Sequence, residues 1–387
     1  MADSWQKILR SELDREIRLF DAENFTYPGA RGIFYNGAPW QEKETRVFAW
    51  IGLPDGASAD HPVPGVVLVH GGGGTALASW VRIWNEKGYA AIAMDTCGGI
   101  PVWSESPYYQ QIWPRHAHSG PAGWGRMEDA FLPEKDQWPY HAACAVLRGA
   151  RVLAAMEEVD AAKIGITGIS WGGYLTTLCS GLEPERFCFS IPVYGAGYFN
   201  DPQSGLVQNP QSSQEQKDRW FDLWDPANVM AEISMPVLFL TDAEDFAFPL
   251  DGWDRSIRLC KKSPCLRRSI RSGYPHNHTV SFYSHTLYDF AACALSGGAI
   301  PDFGKVFSPE TGKLCAEFSS GGRTIQKAEV FMTRATGWWI DRCWRSGEAV
   351  ITEDGRIIAD LLPGTVAAYF SVRDERDCIW TSELYQF

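Results

Sequence analysis

The segment from Ile164 to Tyr174 constrains this chain more than any other. It begins with the apolar residues of a buried strand, continues through the pentapeptide Gly168-Ile-Ser170-Trp-Gly172, and ends in a helical pattern. A serine on so tight a strand-to-helix turn has a strained backbone, and the flanking glycines remove side chains that would clash there. The segment therefore predicts Ser170 as a nucleophile held clear of the sheet edge. A glycine-rich turn with an incidental serine is the alternative.

Buried strands and helices alternate through most of the chain. Runs that predict strands lie at 46–54, 66–69, 89–94, 187–194, 236–241 and 266–271, and all of them except the last are mostly apolar. Helical patterns lie at 76–88, 140–159 and 282–295, and a charged amphipathic helix is predicted at 4–20. This alternation predicts an α/β fold with a mostly parallel sheet that is covered by helices on both faces.

A serine nucleophile needs a base, and the base needs an acid that orients it. Three carboxylates follow one apolar strand: Asp242, Glu244 and Asp245. Two imidazoles follow the next strand: His276 and His278. The order serine, acid, histidine, with each group on a loop after a strand, is the order that this chemistry requires in α/β-hydrolases.

An oxyanion hole needs backbone N–H groups that point at the developing negative charge. One donor is predicted at Trp171, directly after the serine. The second is predicted in the loop His70-Gly-Gly-Gly-Gly74, at Gly72 or Gly73, because a backbone without side chains can approach the substrate closely. A phosphate-binding loop is the competing interpretation, but neither GxxxxGK[ST] nor a full GxGxxG is present.

Composition excludes several classes of partner. The formal net charge is −12, which argues against nucleic acid and anionic membranes as partners. No run approaches the ~18 apolar residues of a membrane span, and the N-terminus shows no signal peptide. The chain as written is expected to be soluble and cytoplasmic, or exported if a signal had been removed. The ten cysteines lack a metal-site spacing and are expected to be mostly buried thiols, with Cys260 and Cys265 as a disulfide candidate.

The segment 97–137 departs from the alternating pattern. It is rich in Gly, Pro, Trp and Tyr, and a long loop of this kind in a compact domain is usually functional. We expect a substrate-binding wall formed by Trp103, Tyr109, Trp113 and Trp124, together with Tyr194 on the loop after the next strand. The alternative is that these aromatic side chains only cover the sheet edge.

Beyond about residue 300 the pattern changes to short alternating runs with turn signals, which predicts a small β-sandwich. We divide the chain into a lead-in segment with a helix at 1–45, a catalytic domain at 46–299 and a β-sandwich domain at 300–387. The clustered tryptophans of the last region favour packing over glycan binding.

Residues 46–295 contain the motifs HGGGGT, YAAIAMD, IGITGISWGGYLT, PVYG, LWDP, TDAEDFAFPLD and PHNH. Together these motifs resemble those of bacterial acetylxylan esterase-like α/β-hydrolases, which are related to dienelactone hydrolases and to prolyl oligopeptidase-type peptidases. The resemblance implies an α/β-hydrolase fold and no cofactor. It places the acid at Asp245, in the position of a TNDFAYP-type segment. The base lies in a PHGHG-type segment, from which this chain departs at both glycines; we assign it to His278 and leave His276 open.

The expected function is a serine esterase that removes acyl groups, most simply acetyl, from carbohydrate-like substrates through an acyl-enzyme. The expected partner is thus a small-molecule or oligosaccharide ester, and a homo-oligomer is left open. A prolyl oligopeptidase-type aminopeptidase is disfavoured, since the N-terminal segment is short. The third hypothesis is a carbohydrate-binding relative without activity, and the complete set of Ser170, Asp245 and His278 argues against it.

Overall fold

The computed structural model describes residues 2–103, 113–123, 127–205, 212–279 and 284–387. Its helices are α1 (Ala2–Leu13), α2 (Ala78–Asn85), α3 (Trp138–Ala154), α4 (Trp171–Leu182), α5 (Gln214–Trp224), α6 (Leu250–Ile257) and α7 (His285–Ser296). The strands up to residue 299 are β1 (Leu19–Tyr27), β2 (Ala30–Asn36), β3 (Arg46–Gly52), β4 (Val63–Val69), β5 (Ala90–Met94), β6 (Val159–Ile169), β7 (Ser190–Val193), β8 (Val237–Asp242) and β9 (Leu266–Arg271).

The later strands are β10 (Asp302–Phe307), β11 (Lys313–Ser319), β12 (Ile325–Thr333), β13 (Arg345–Glu348), β14 (Val350–Ile351), β15 (Arg356–Asp360), β16 (Ala367–Asp374), β17 (Ile379–Thr381) and β18 (Tyr385–Gln386). In the described ranges, no helix is both long enough and apolar enough to cross a membrane.

The centre of the molecule is a parallel sheet. Strands β5, β4, β6, β7, β8 and β9 lie side by side in that order, and each pair is parallel. The apolar run of β4 is fully buried from Val66 to Val69, as a strand covered on both faces requires. Because parallel strands end at the same edge, the loops after β4, β6, β8 and β9 meet there. The structure confirms the predicted α/β fold.

The N-terminal region differs from the prediction. The predicted helix at 4–20 ends at Leu13, and Leu19 already begins β1. Strands β1 and β2 then extend the sheet in antiparallel fashion from β3. The sequence pattern missed β1 because this edge strand is mostly exposed and lacks a continuous apolar face.

A buried arginine fastens this N-terminal region to the catalytic core. Arg148 in α3 is fully buried, and its guanidinium donates hydrogen bonds to the carbonyl oxygens of Asn36 (2.8 Å), Glu12 (2.9 Å) and Glu16 (3.0 Å). Three bonds from one planar group fix the segment between α1 and β2 against α3.

The C-terminal strands form two groups. Strands β17, β16, β12 and β13 continue the central sheet beyond β9, where Thr381 pairs with Arg268. Strands β10, β11, β15 and β14 form a second sheet in the described part of the chain. The predicted β-rich C-terminal region is therefore present, and one of its sheets is continuous with the catalytic sheet. The division of the chain at residue 300 stays a prediction.

The predicted disulfide between Cys260 and Cys265 is absent, since all ten cysteines are free thiols. Burial, the largest effect, raises the pKa of the Cys260 thiol to about 12. The thiol accordingly packs as a small apolar group.

A buried ion pair joins the C-terminal strands to α7. Arg323 bonds through Nη1 to Asp374 and to Asp289 of α7, each at 2.7 Å, and its guanidinium lies over the Trp380 ring. Arg323 and Asp374 are both buried. Removing one partner would leave an uncompensated buried charge.

We therefore expect Arg323→Leu to lower the free energy of unfolding by about 3–5 kcal/mol, measured by urea denaturation. The control is Arg82→Leu, because Arg82 forms an exposed pair with Glu86 on α2, and its effect should stay within about 0.5 kcal/mol. A loss below about 1 kcal/mol for Arg323→Leu would show that this pair does not hold the C-terminal strands in place.

Candidate active site

Ser170 lies on a strained turn between β6 and α4. Its backbone has φ 58° and ψ −120°, a conformation that L-residues rarely adopt, and its N–H donates to the Val193 carbonyl at 2.8 Å. A Cβ on Gly168 would lie 2.7 Å from the Val69 carbonyl oxygen, and a Cβ on Gly172 would overlap that same oxygen. The glycines thus permit a close approach of the first turn of α4 to the end of β4, and the strand–turn–helix prediction for Ser170 is reproduced.

Asp245 lies in the loop after β8 and is buried. Its Oδ1 accepts hydrogen bonds from the N–H groups of Ala247 (2.9 Å) and Phe248 (2.7 Å). Its Oδ2 lies 2.5 Å from Nδ1 of His276. The two backbone donors fix the carboxylate, and the carboxylate in turn fixes the His276 ring.

His276 is held from three sides. The Tyr194 ring stacks on it at 4.3 Å between centroids, and the Phe246 ring lies at 4.8 Å. Its second nitrogen, Nε2, is buried and has no hydrogen-bond partner among the described residues. Ser170 Oγ and His276 Nε2 are not hydrogen-bonded to each other in the described part of the chain, and such catalytic bonds often tighten only with substrate bound.

His278, the base that the sequence favoured, contacts the glycine loop after β4. Its Nε2 accepts the Gly71 N–H at 2.9 Å, and its ring stacks on Trp80 at 6.0 Å. Burial lowers the pKa of His278 to about 3, with His70 contributing further. Within the described residues, Asp245 pairs with His276 rather than with His278. On His278, the lone pair that a base would need already accepts a backbone N–H.

The glycine loop after β4 leaves two N–H groups available. The Gly71 N–H donates to His278, and the Gly74 N–H donates to the Gly71 carbonyl at 3.2 Å. In the described structure the N–H groups of Gly72 and Gly73 have no acceptor. The Trp171 N–H is the first of α4 and has no acceptor within the helix. The sequence predicts two of these three N–H groups as the oxyanion donors: that of Trp171 and that of either Gly72 or Gly73.

Asp242, which the sequence offered as a second candidate acid, joins the acid loop to the base loop. Its Oδ1 accepts the Glu244 N–H at 2.8 Å, and its Oδ2 accepts the Tyr274 N–H. Burial raises the pKa of Asp242 to about 6. The Tyr194 hydroxyl also donates to the Tyr274 carbonyl at 2.6 Å, so the segment that precedes His276 is anchored twice.

The residues predicted to form an aromatic wall do not all lie together in the described part of the chain. Trp113 donates its Nε1–H to the Gly73 carbonyl at 3.0 Å, and the ring of the exposed Trp103 meets it edge-on at 5.0 Å. Tyr194 does not line a wall, because it is fully buried and packs on His276. Tyr109 and Trp124 lie outside the described residues. Trp103 and Trp113 thus stand beside the predicted oxyanion loop.

The acid loop is supported from outside by the segment at 201–205. Ser204 donates its hydroxyl to the Ala247 carbonyl at 2.6 Å, and the Gly205 N–H donates to the Phe246 carbonyl at 2.8 Å. The side chain of Gln203 accepts the Trp339 N–H at 2.9 Å. The C-terminal region therefore contacts the segment that supports the acid loop, which the sequence pattern did not reveal.

Comparison with known proteins adds to this geometry. A model of the acetyl xylan esterase (AXE1) family matches residues 5–236, which is more than half of the chain. The chain belongs to this family. It is accordingly a carboxylic ester hydrolase. The matched range contains Gly72, Gly73, Ser170 and Trp171, while Asp245 and both candidate histidines follow it.

Two solved structures show the same fold. The acetyl xylan esterase from Paenibacillus sp. R4 superposes with a TM-score of 0.55 at 20% identity, over 76% of this chain and 94% of that chain. Acetyl xylan esterase 1 from Thermoanaerobacterium sp. JW/SL YS485 gives a TM-score of 0.55 at 16% identity, over 75% and 92% of the two chains. A search of curated proteins found no match.

The close approach at the serine turn is testable by adding one methyl group. Gly172→Ala places a carbon against the carbonyl oxygens of Val69 and His70, both of which are backbone atoms. We expect the free energy of unfolding to fall by about 3 kcal/mol in urea denaturation, with loss of esterase activity. Gly337→Ala is the matched control, because a Cβ there meets nothing within 4 Å. Equal stability of the two variants would contradict the account of the turn.

Proposed function

We propose that this esterase acts through Ser170 as nucleophile, His276 as base and Asp245 as the acid that orients the base. The observation that carries the proposal is the bond between Asp245 and His276, which leaves a buried Nε2 without a hydrogen-bond partner among the described residues, at the sheet edge where Ser170 follows β6. A carboxylate on Nδ1 favours the tautomer with its lone pair on Nε2. The sequence alone favoured His278 as the base and left His276 open, and we propose His276.

The chemistry follows from these positions. His276 Nε2 takes the Ser170 hydroxyl proton while Oγ attacks the ester carbonyl, and Asp245 stabilises the imidazolium that results. The oxyanion binds the N–H groups of Trp171 and of Gly72 or Gly73. The imidazolium returns the proton to the leaving alcohol as the acyl–oxygen bond breaks. His276 then deprotonates a water molecule, whose oxygen attacks the acyl carbon, and the imidazolium returns this proton to Ser170 Oγ as the acyl–Oγ bond breaks and the acid is released.

We further propose acetyl esters of a carbohydrate-like alcohol as the substrate class. Membership of the acetyl xylan esterase family supports acetyl esters as the substrates. The exposed Trp103 ring, which packs on Trp113 beside the oxyanion loop, supports a ring-shaped alcohol, because the flat face of an aromatic ring packs against the apolar face of a sugar ring.

Hydrolysis of 4-nitrophenyl acetate tests the catalytic assignment. Ser170→Ala and His276→Ala should each lower kcat by at least about 10⁴-fold, because the nucleophile and base act as a unit. His61→Ala, which removes an exposed imidazole on a surface turn, should keep the parent rate. A parent-like rate in Ser170→Ala would contradict the proposal. Faster hydrolysis of an aminoacyl 4-nitroanilide than of the acetate would favour the peptidase instead.

The substrate class is tested with acetylated xylo-oligosaccharide against 4-nitrophenyl acetate. Trp103→Ala should raise KM for the oligosaccharide by about 3- to 10-fold, the worth of one aromatic contact, and leave KM for the small ester unchanged. Trp338→Ala is the control, because Trp338 is a comparably exposed tryptophan of the C-terminal region. An equal change for both substrates, or none for either, would contradict a sugar-binding role of Trp103.

A further inference from the structure

Two imidazoles contact the backbone of Gly71, one at its N–H and the other at its carbonyl oxygen. His278 Nε2 accepts the Gly71 N–H at 2.9 Å, and His70 Nδ1 lies 2.9 Å from the Gly71 carbonyl oxygen. A backbone N–H can only donate and a carbonyl can only accept. His278 therefore carries its lone pair on Nε2, and His70 carries its proton on Nδ1.

Both imidazoles are themselves fixed. His70 is buried, and its Nε2 accepts the Thr96 N–H at 3.0 Å. His278 stacks on Trp80 of α2, and its carbonyl oxygen accepts the Trp80 Nε1–H at 3.2 Å. Helix α2, which follows the glycine loop, therefore also fixes His278, the residue that holds this loop.

The orientation of Gly71 decides where the next N–H group points. A trans peptide is planar, so its C=O and the following N–H point in opposite directions. Because the Gly71 carbonyl faces the buried His70, the Gly72 N–H points away from His70. A Cβ on Gly71 would lie 3.0 Å from both Ser170 Cβ and His278 Nε2, so this peptide stands directly beside the nucleophile.

We propose that His278 is a positioning residue that, as a neutral imidazole, holds the oxyanion loop through the Gly71 N–H and thereby aims the Gly72 N–H at the substrate carbonyl. This inference rests on the proposed function and assigns His278 a role separate from proton transfer. A glycine-rich loop without this bond would sample many backbone conformations, and the donor would lose its fixed direction.

The test compares His278→Gln with His278→Leu. The Gln side-chain oxygen can replace Nε2 as an acceptor for the Gly71 N–H, whereas Leu offers none. With 4-nitrophenyl acetate, His278→Leu should lower kcat by about 10- to 100-fold with KM within about twofold. This is less than the ~10²–10³ for a deleted donor, because the Gly72 N–H remains in the chain. His278→Gln should recover most of that loss.

The pH–rate profile separates positioning from proton transfer. If His276 is the base, the acidic limb should stay at the parent position in both His278 variants, while the plateau falls in His278→Leu. Equal rates in His278→Gln and His278→Leu, or loss of the acidic limb in both, would overturn the inference. Should His278→Leu not fold, His278→Asn takes its place, since its amide is too short to reach Gly71, and the same outcomes apply. Parent-like activity in Ser170→Ala would instead refute the proposed function itself.

Discussion

The site depends on the close contact of two backbone segments, the end of β4 and the first turn of α4. The Val69 carbonyl lies where side chains at Gly168 or Gly172 would otherwise stand. This contact forces Ser170 into its positive φ and places the glycine loop beside it. A single steric constraint therefore brings together the nucleophile and the N–H groups of the predicted oxyanion hole, while the acid and base reach the same edge on the loops after β8 and β9.

Sequence patterns predicted the elements that depend on local chemistry. Mostly apolar runs identified the parallel strands at the centre of the sheet, because burial on both faces leaves few polar positions, whereas β9 carries three arginines and is only partly buried. The Ser170 turn was predictable since only glycine fits around it. The choice between His276 and His278 was not predictable, because two histidines on one short loop differ only in the backbone and side-chain groups that they contact. Asp245 bonds to His276 and Gly71 bonds to His278, and neither partner lies in the histidine loop.

The C-terminal region is joined to the catalytic part through specific bonds. Strand β17 pairs with β9, Arg323 forms ion pairs with Asp289 in α7 and with Asp374, and Trp339 bonds to Gln203. Through Gln203 and its neighbours, these contacts extend to the loop of Asp245. The sequence indicated a separate small sandwich because short strands with turns carry no signal of which neighbour they pair with. The geometry gives this region a supporting role for the acid loop.

In this mechanism His276 transfers the proton and His278 holds the oxyanion loop, so the decisive measurement is the crystal structure of the enzyme with Ser170 phosphonylated. We expect His276 Nε2 within about 2.6–3.2 Å of the Ser170 oxygen. We also expect a phosphonyl oxygen about 2.7–3.1 Å from the Trp171 and Gly72 nitrogens, with the Gly71 N–H still bonded to His278. His278 Nε2 on the Ser170 oxygen, with the Gly71 N–H released, would contradict this mechanism.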